Sequence, residues 1–287
     1  MEYNNENNIR FIGDSKYKKI YLNILKTASC YDNSELEHIK YDYSYNQNDI
    51  DLVKEKFDLT ALKVESEFQT FINALNWVSI LLKSNKLIQR PMGNAATIIS
   101  DVTSGKYATN CYGYAIVLNE ILCALGYQCK YVFCYPVSFH FLDCHVVNLV
   151  FSNEQRKWIL LDAAQNVYFT DENQNALNLC EMRQKLINDD IVEVKLLDTY
   201  NEIKHLDKEI IKQRIITYMT KNLYRFGCFA NSQKDRMAEH TIINFYHLIP
   251  TSYMKSPCCI TEYRHNKKLK LIEHFIQNPK NFWETPE

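Results

Sequence analysis

Three residues of this chain are of the types that carry out acyl transfer, and they occur in the order cysteine, histidine, aspartate. Cys111 stands at the start of an amphipathic segment, His145 near the start of a strand-like run, and Asp162 at the end of the next such run. In a set of this kind the imidazole takes the proton of the thiol, and the carboxylate fixes the tautomer of the imidazole. The pattern predicts a thiol nucleophile that forms a thioester with its substrate.

The helix that begins at Cys111 has sequence signals at both ends. Asn110 is a favoured N-cap residue, Gly126 is a typical stop, and the apolar residues between them recur at helical spacing. Free N–H groups in a first helical turn stabilise a thiolate and can also hold an oxyanion. Free cysteines are among the most buried residue types, so a packed structural thiol is the alternative interpretation.

The histidine and the aspartate are predicted to meet across a β-hairpin. Residues 152–155 form a polar loop between strand-like runs over 144–151 and 156–162. With the hairpin centred between the second and third residues of this loop, the following residues lie directly opposite each other: Phe151 and Arg156, Leu149 and Trp158, Val147 and Leu160, His145 and Asp162. Opposed side chains share one face, which predicts a His145–Asp162 hydrogen bond. A one-residue slip would separate them, and a purely structural pair is the alternative.

The other periodic segments predict an α+β fold. Helical spacing indicates helices over 68–82, 95–102, 111–125, 177–187 and 208–226, and strand-like runs cover 129–136, 144–151 and 156–162. We divide the chain into an N-terminal extension packed on the core, a catalytic core, and a C-terminal appendage of the same domain, at residues 1–64, 65–190 and 191–287. We expect both additions to be mainly helical, and we interpret the lysine-rich residues 267–270 as the solvated face of a helix.

Composition excludes several classes of function. The chain has 287 residues, 46% hydrophobic content and a formal net charge of -1, so we expect neither a nucleic-acid partner nor a membrane partner. No apolar run approaches the roughly 18–20 residues that a spanning helix needs. The 10 cysteines lie mostly in apolar runs, and the polar N-terminus does not look like a secretory signal. We therefore expect reduced thiols and a cytoplasmic location; the oligomeric state stays open.

Three segments together resemble the transglutaminase-like superfamily. Residues 110–127 are similar to its nucleophile helix, residues 144–150 to its histidine strand, and residues 157–162 to its Trp-x-x-x-Asp strand. The resemblance covers about a third of the chain. It implies a papain-like core in which a nucleophile helix packs on an antiparallel sheet. It also implies that Cys111 is the nucleophile, His145 the general base and acid, and Asp162 the residue that orients the histidine.

We expect hydrolysis of a peptide or amide bond, with a peptide or protein as substrate and no cofactor, although kinship of fold alone does not choose among the activities of the superfamily. Transfer of the acyl group to an amine acceptor uses the same acyl-enzyme, and a non-catalytic peptide-binding scaffold could use the same fold. No acidic run resembles a calcium site, which disfavours calcium-activated cross-linking. The Arg-Gly-Gly run that precedes the cysteine in arylamine acetyltransferases is missing here.

Two other groups of residues could suggest a site. Cys134, His140, Cys144 and His145 include metal-binding types, but their spacing matches no common zinc pattern, and strand alternation puts Cys144 and His145 on opposite faces. We therefore expect no metal site. Trp77 precedes the nucleophile and could line a cleft, although its place in an apolar helical stripe favours a core position.

Overall fold

The computed structural model describes residues 15–32, 39–137, 144–198, 207–237, 241–253, 258–264 and 267–286. In these parts of the chain the helices are α1 (Lys18–Thr27), α2 (Gln47–Lys56), α3 (Glu67–Leu81), α4 (Ala95–Thr103), α5 (Cys111–Ala124), α6 (Leu179–Ile187), α7 (Lys208–Asn222) and α8 (Pro279–Phe282). None of these described helices is both long enough and apolar enough to cross a bilayer.

A large, mostly antiparallel sheet forms the centre of the described structure. Two short strands, β1 (Ile88–Gln89) and β2 (Ala108–Thr109), make a separate parallel pair. The others are β3 (Cys129–Tyr135), β4 (His145–Ser152), β5 (Lys157–Asp162), β6 (Val167–Thr170), β7 (Glu193–Leu196), β8 (Arg225–Phe229), β9 (Ile242–Leu248), β10 (Cys258–Arg264) and β11 (Lys267–Ile276). Their order across the sheet is β10-β11-β9-β8-β3-β4-β5-β6-β7, and only the β9–β11 pairing is parallel. The predicted α+β class is confirmed.

Side-chain caps begin the helices on the nucleophile side of the sheet. The side chains of Ser66, Asn94 and Asn110 each accept a hydrogen bond from a backbone N–H in the first turn of α3, α4 and α5. These bonds satisfy N–H groups that have no partner within the helix. Gly126 ends α5 with φ of +97°, a left-handed conformation that favours glycine. The predicted span of α5 therefore agrees with the structure to within one residue.

The central strands of the sheet are buried on both faces, which divides the apolar interior into two cores. Val146 and Val150 of β4 pack in the core that contains α3, α4 and α5. Val147 and Leu149 of the same strand pack on the other face, in the core that contains α6 and α7. Strand β4 is buried along its whole length. A central strand that is covered on both faces has a nearly continuous apolar sequence. Its position in the sheet is set by the helices that pack on each face.

The hairpin between β4 and β5 is centred one residue later than the sequence suggested, with its loop at residues 153–156 in place of 152–155. Leu149 pairs with Leu160 and Phe151 with Trp158, whereas the predicted partners were Trp158 and Arg156. The predicted register is therefore wrong by two residues. Because a shift of two residues is even, every side chain stays on its predicted face.

A side chain from another part of the chain contacts this loop. The carboxylate of Glu67, at the start of α3, accepts hydrogen bonds from the hydroxyl of Ser152 and the backbone N–H of Glu154, both at 3.0 Å. Arg156 closes the loop with φ of +52°, in the left-handed region. These contacts with a distant residue stabilise the observed position of the loop, which the local sequence alone did not predict.

The expectation of a mainly helical C-terminal addition is wrong. The helix predicted over 208–226 ends at Asn222, and strand β8 follows within the same predicted segment. Strands β8 to β11 extend the sheet, with β8 paired directly to β3. The lysine-rich residues 267–270 lie in β11 and not on a helix. Strand β8 is buried at every position, so it lacks the alternation that identifies a half-exposed strand.

Candidate active site

The thiol of Cys111 lies at the start of a helix, as predicted. Cys111 is the first residue of α5 and is half-buried. The side chain of Asn110 accepts a hydrogen bond from the backbone N–H of Gly113 at 3.3 Å, which holds the first turn in place. The sulfur itself lies 4.0 Å from the carbonyl oxygen of Cys144, the residue that precedes β4. Helix α5 and strand β4 therefore bring the thiol and the histidine segment together.

A close contact between Thr109 and Gly113 shapes the first turn of α5. A Cβ atom at Gly113 would lie 1.8 Å from Oγ1 of Thr109, which no packing arrangement allows. Thr109 ends β2 and is buried, so a shift of its side chain would disturb its neighbours. The glycine is required here because the chain turns back onto the helix that carries the thiol.

An asparagine that the sequence analysis did not single out joins the nucleophile helix to the histidine strand. The side-chain amide of Asn148, in the middle of β4, donates to the carbonyl oxygen of Ala115 at 2.9 Å. Asn148 is fully buried. This bond fixes the position of α5 relative to the strand that begins at His145. The available signal was a lone amide side chain within an otherwise apolar strand, because a buried polar group needs a partner.

The imidazole of His145 and the carboxylate of Asp162 form a buried pair. Nε2 of His145 lies 2.7 Å from Oδ2 of Asp162, and the two residues are 1% and 0% exposed. The second carboxylate oxygen accepts a hydrogen bond from the backbone N–H of Gln165 at 3.1 Å. The predicted hydrogen bond between the two side chains is confirmed, although they are not directly opposed. Since Nε2 is engaged by the carboxylate, Nδ1 is the imidazole nitrogen left for the thiol.

The pair favours a protonated imidazole. Burial by itself lowers the pKa of His145, but the charge and hydrogen bond of Asp162 outweigh it and raise the pKa to about 10. Hydrogen bonding and charge from Cys111 raise it further. An imidazolium beside a sulfur stabilises the thiolate, which is the attacking form of a cysteine.

The imidazole is also covered by the C-terminal region. The ring of Tyr218, on α7, meets the ring of His145 edge-on, with centroids 5.1 Å apart and an angle of 67° between the planes. The sequence analysis placed this helix in an appendage and gave it no part in the site. No local signal pointed to Tyr218, because the contact joins residues far apart in the chain.

The remaining sequence candidates form no second site among the residues that the structure describes. Cys134 pairs with His145 across β3 and β4 and is fully buried, which raises the pKa of its thiol well above the usual range. His140 lies outside the described residues. Among the residues that the structure describes, no group of three metal-binding side chains comes together. Trp77 packs edge-on against Phe57 at 5.8 Å, beside the core.

Comparisons with known proteins add little to this geometry. No protein-family profile and no curated protein matches the chain. Among solved structures, a protein proposed to be a cysteine protease, from Cytophaga hutchinsonii, matches with a TM-score of 0.29 and 14% sequence identity. The match covers 48% of this chain and 49% of that one. A likeness at this level carries no argument about fold or function, so the functional conclusion depends on the site itself.

Proposed function

We propose that this protein is a thiol hydrolase of the transglutaminase-like superfamily that cleaves a peptide or amide bond through a thioester. Cys111 is the nucleophile, His145 the general base and acid, and Asp162 the carboxylate that orients the histidine. The observation that carries the proposal is the buried hydrogen bond of 2.7 Å between His145 and Asp162, beside a thiol at the start of a helix. A buried carboxylate that also accepts a backbone N–H holds the imidazole in one orientation.

The reaction proceeds in two halves. In the first, the thiolate of Cys111 attacks the carbonyl carbon of the substrate, and the C–N bond breaks as the imidazolium of His145 gives its proton to the departing amine. This leaves an acyl group on the sulfur and a neutral imidazole. In the second, His145 takes a proton from water, the resulting hydroxide attacks the thioester, and the C–S bond breaks. The products are a carboxylic acid and the regenerated thiolate–imidazolium pair.

The oxyanion formed in each half needs hydrogen-bond donors. The first turn of α5 presents free backbone N–H groups and the positive end of the helix dipole next to Cys111. Such groups are already in place before the reaction, so they stabilise the developing charge without having to reorient. An amine in place of water would give acyl transfer from the same thioester, so the two outcomes differ only in the acceptor.

The first test measures the reactivity of the thiol and needs no substrate. The protein is treated with iodoacetamide between pH 5 and 8, and the alkylation rate of each cysteine is followed by peptide mass spectrometry. Cys30 is an exposed free cysteine and serves as the internal control. We expect Cys111 to react faster than Cys30 at pH 6 by at least about tenfold, although it is the less accessible of the two. A slower reaction at Cys111 would favour a packed structural thiol.

The second test looks for turnover. A library of short peptides and simple amides is incubated with the protein and with the Cys111→Ala variant, with and without an added amine. Hydrolysis products that appear only with the parent protein support the proposal. Amine adducts in preference to acids would make the protein a transferase, and retention of activity in the variant would remove Cys111 from the mechanism. Binding of peptides without any turnover would favour the scaffold interpretation.

A further inference from the structure

Helix α7 lies against the face of the sheet that carries the histidine. Its residues Ile211, Ile215 and Met219 pack in the same core as Val147 and Leu149 of β4. His145 follows the alternation of these two residues and so shares their face. The position of α7 is therefore set by apolar packing, and its side chains reach the imidazole from the side opposite to the core around α5.

Tyr218 is the residue of α7 that meets the imidazole. It is 6% exposed, and its ring lies edge-on to the ring of His145 at a centroid distance of 5.1 Å. The Nζ atom of Lys221, one turn further along, lies 4.9 Å from the centroid of the tyrosine ring. The ring of Tyr218 is therefore in contact with both the imidazole of His145 and the ammonium group of Lys221.

The imidazole of His145 is held by Asp162 and by its contact with Cys111, and the ring of Tyr218 adds a further constraint on its tilt. Rotation about the terminal bond of histidine is soft, so a bond at Nε2 does not by itself fix the plane of the ring. An edge-on aromatic contact favours one tilt and is worth about 0.5–1.5 kcal/mol beyond the burial of area. It also keeps water away from the buried hydrogen bond, which strengthens that bond in a medium of low dielectric constant.

We infer that Tyr218 is a positioning residue of the proposed thiol site, whose ring holds the imidazole of His145 in the plane that serves both Asp162 and Cys111. The catalytic role in this inference rests on the proposed function, and the geometry rests on the ring contact between Tyr218 and His145. It also assigns helix α7, in the C-terminal part of the chain, to the site.

Several titratable groups surround the imidazole and must be kept unchanged in a test. Asp162 faces it from β5, Cys111 from α5, Cys134 lies beside it on β3, and Lys221 stands behind Tyr218 on α7. Substitutions at Tyr218 that introduce no charge leave all four in place. Changes in the titration of His145 then report on the ring contact.

The experiment compares Tyr218→Phe with Tyr218→Leu. Phenylalanine keeps the ring, whereas leucine keeps an apolar side chain without it. Met219→Ala is the matched control, since Met219 is fully buried on the same helix and lies in the same core. For each variant we measure the alkylation of Cys111 against pH, the titration of His145 by NMR, and the stability in urea.

We expect Tyr218→Phe to alkylate within about twofold of the parent. Tyr218→Leu should slow the reaction of Cys111 at pH 6 by about tenfold and lower the pKa of His145, because water then weakens its coupling to Asp162. Met219→Ala should lose stability without moving either profile. Once a substrate is identified, Tyr218→Leu should lower kcat by a larger factor than it changes KM.

Three results would overturn the inference. The leucine variant could match the parent in both profiles, the phenylalanine variant could lose as much as leucine does, or the control could shift the profiles equally. If the leucine variant does not fold, Tyr218→Met and the ring-current shift of the His145 protons in the parent test the same contact. A parent Cys111 no faster than Cys30 would instead contradict the proposed function, while the His145 titration still decides the role of Tyr218.

Discussion

His145 and Asp162 are hydrogen-bonded across β4 and β5 although the register offsets them by two residues from direct opposition. The pairing of Leu149 with Leu160 places Val147, not His145, opposite Asp162. Diagonal neighbours on one face are about 7–8 Å apart at the backbone, and a long imidazole can span that separation. The resulting contact of 2.7 Å draws the imidazole along the strand towards β5 and leaves its other nitrogen facing away from the carboxylate.

Removing the charge of Asp162 should lower the pKa of His145. In Asp162→Asn the amide keeps the shape of the carboxylate but loses the charge that outweighs burial. We expect the alkylation of Cys111 at pH 6 to slow by about 10- to 1,000-fold, less than the roughly 10⁴ seen in a serine triad, because a thiol ionises more easily. NMR titration of the imidazole and the pH profile of alkylation measure the effect. Unchanged profiles would mean that the carboxylate does not orient the histidine.

The same variant should change how stability depends on pH. The pKa of His145 is raised from 6.5 to about 10 in the folded protein, so its contribution to stability is complete below pH 6.5 and is lost as the pH rises towards 10. The difference in unfolding free energy between the parent and Asp162→Asn should therefore shrink across this window. Urea unfolding at pH 6 and pH 9.5 tests it, and a constant difference would contradict the assignment.

Cys111→Ala should remove reactivity with little effect on the fold. The side chain is half-buried, so its loss leaves little cavity, and we expect a change in stability below about 1 kcal/mol. Cys123→Ala is the matched control, since Cys123 is buried with its sulfur 3.5 Å from that of Cys129. That variant should lose about 1–2 kcal/mol and keep the fast alkylation of Cys111. The reverse pattern would show that Cys111 is not the reactive thiol.

Gly113→Ala should destabilise the first turn of α5. The added methyl would meet Oγ1 of Thr109 at 1.8 Å, so either the helix start or the end of β2 must move. We expect a loss of about 1–3 kcal/mol and slower alkylation of the adjacent Cys111. Thr109→Ala removes the closest atom, and the double variant should recover part of both losses. Additive effects in a double-mutant cycle would show that the two residues are not in conflict.

Lys130 offers a test of the packing between the two ends of the chain. This lysine is fully buried, with its Nζ atom 4.0 Å from the ring centroid of Tyr41 and 3.3 Å from the carbonyl oxygen of Phe282. Burial lowers its pKa from 10.5 to about 8. The folded protein therefore gives up this proton before the unfolded chain does, and stability should rise between pH 8 and 10.5.

Lys130→Met should remove that rise. Because the variant avoids burying a charge, we expect it to be about 1–3 kcal/mol more stable than the parent at pH 7, with the gap closing by pH 10.5. Unfolding in urea at several pH values measures both effects. Lys40→Met, at an exposed neighbouring position, should leave the pH dependence as it is. A loss of stability at pH 7 would show that the contacts of the ammonium outweigh its desolvation.

Local sequence was sufficient for the elements that carry the thiol and the two strands beside it. Asn110 and Gly126 mark the ends of α5 because capping depends on residues next to the helix and on backbone conformation alone. Strands β3, β4 and β5 were predicted to within two residues from their apolar composition. The face shared by His145 and Asp162 also followed, since alternation along a strand is a local property.

Tertiary structure decided what depended on distant residues. The hairpin register follows the contacts of Glu67, which stands far from the turn in the chain. Strands β8 to β11 extend the sheet beyond β3, and the burial of every residue of β8 removes the alternation that would have identified that strand. The contact of Tyr218 with His145 requires α7 to be packed on the sheet. The sequence by itself determined the chemical groups and their local geometry. The packing of helices on the sheet determined which of these groups meet, because contacts between residues far apart in the chain produce no periodic pattern in the sequence.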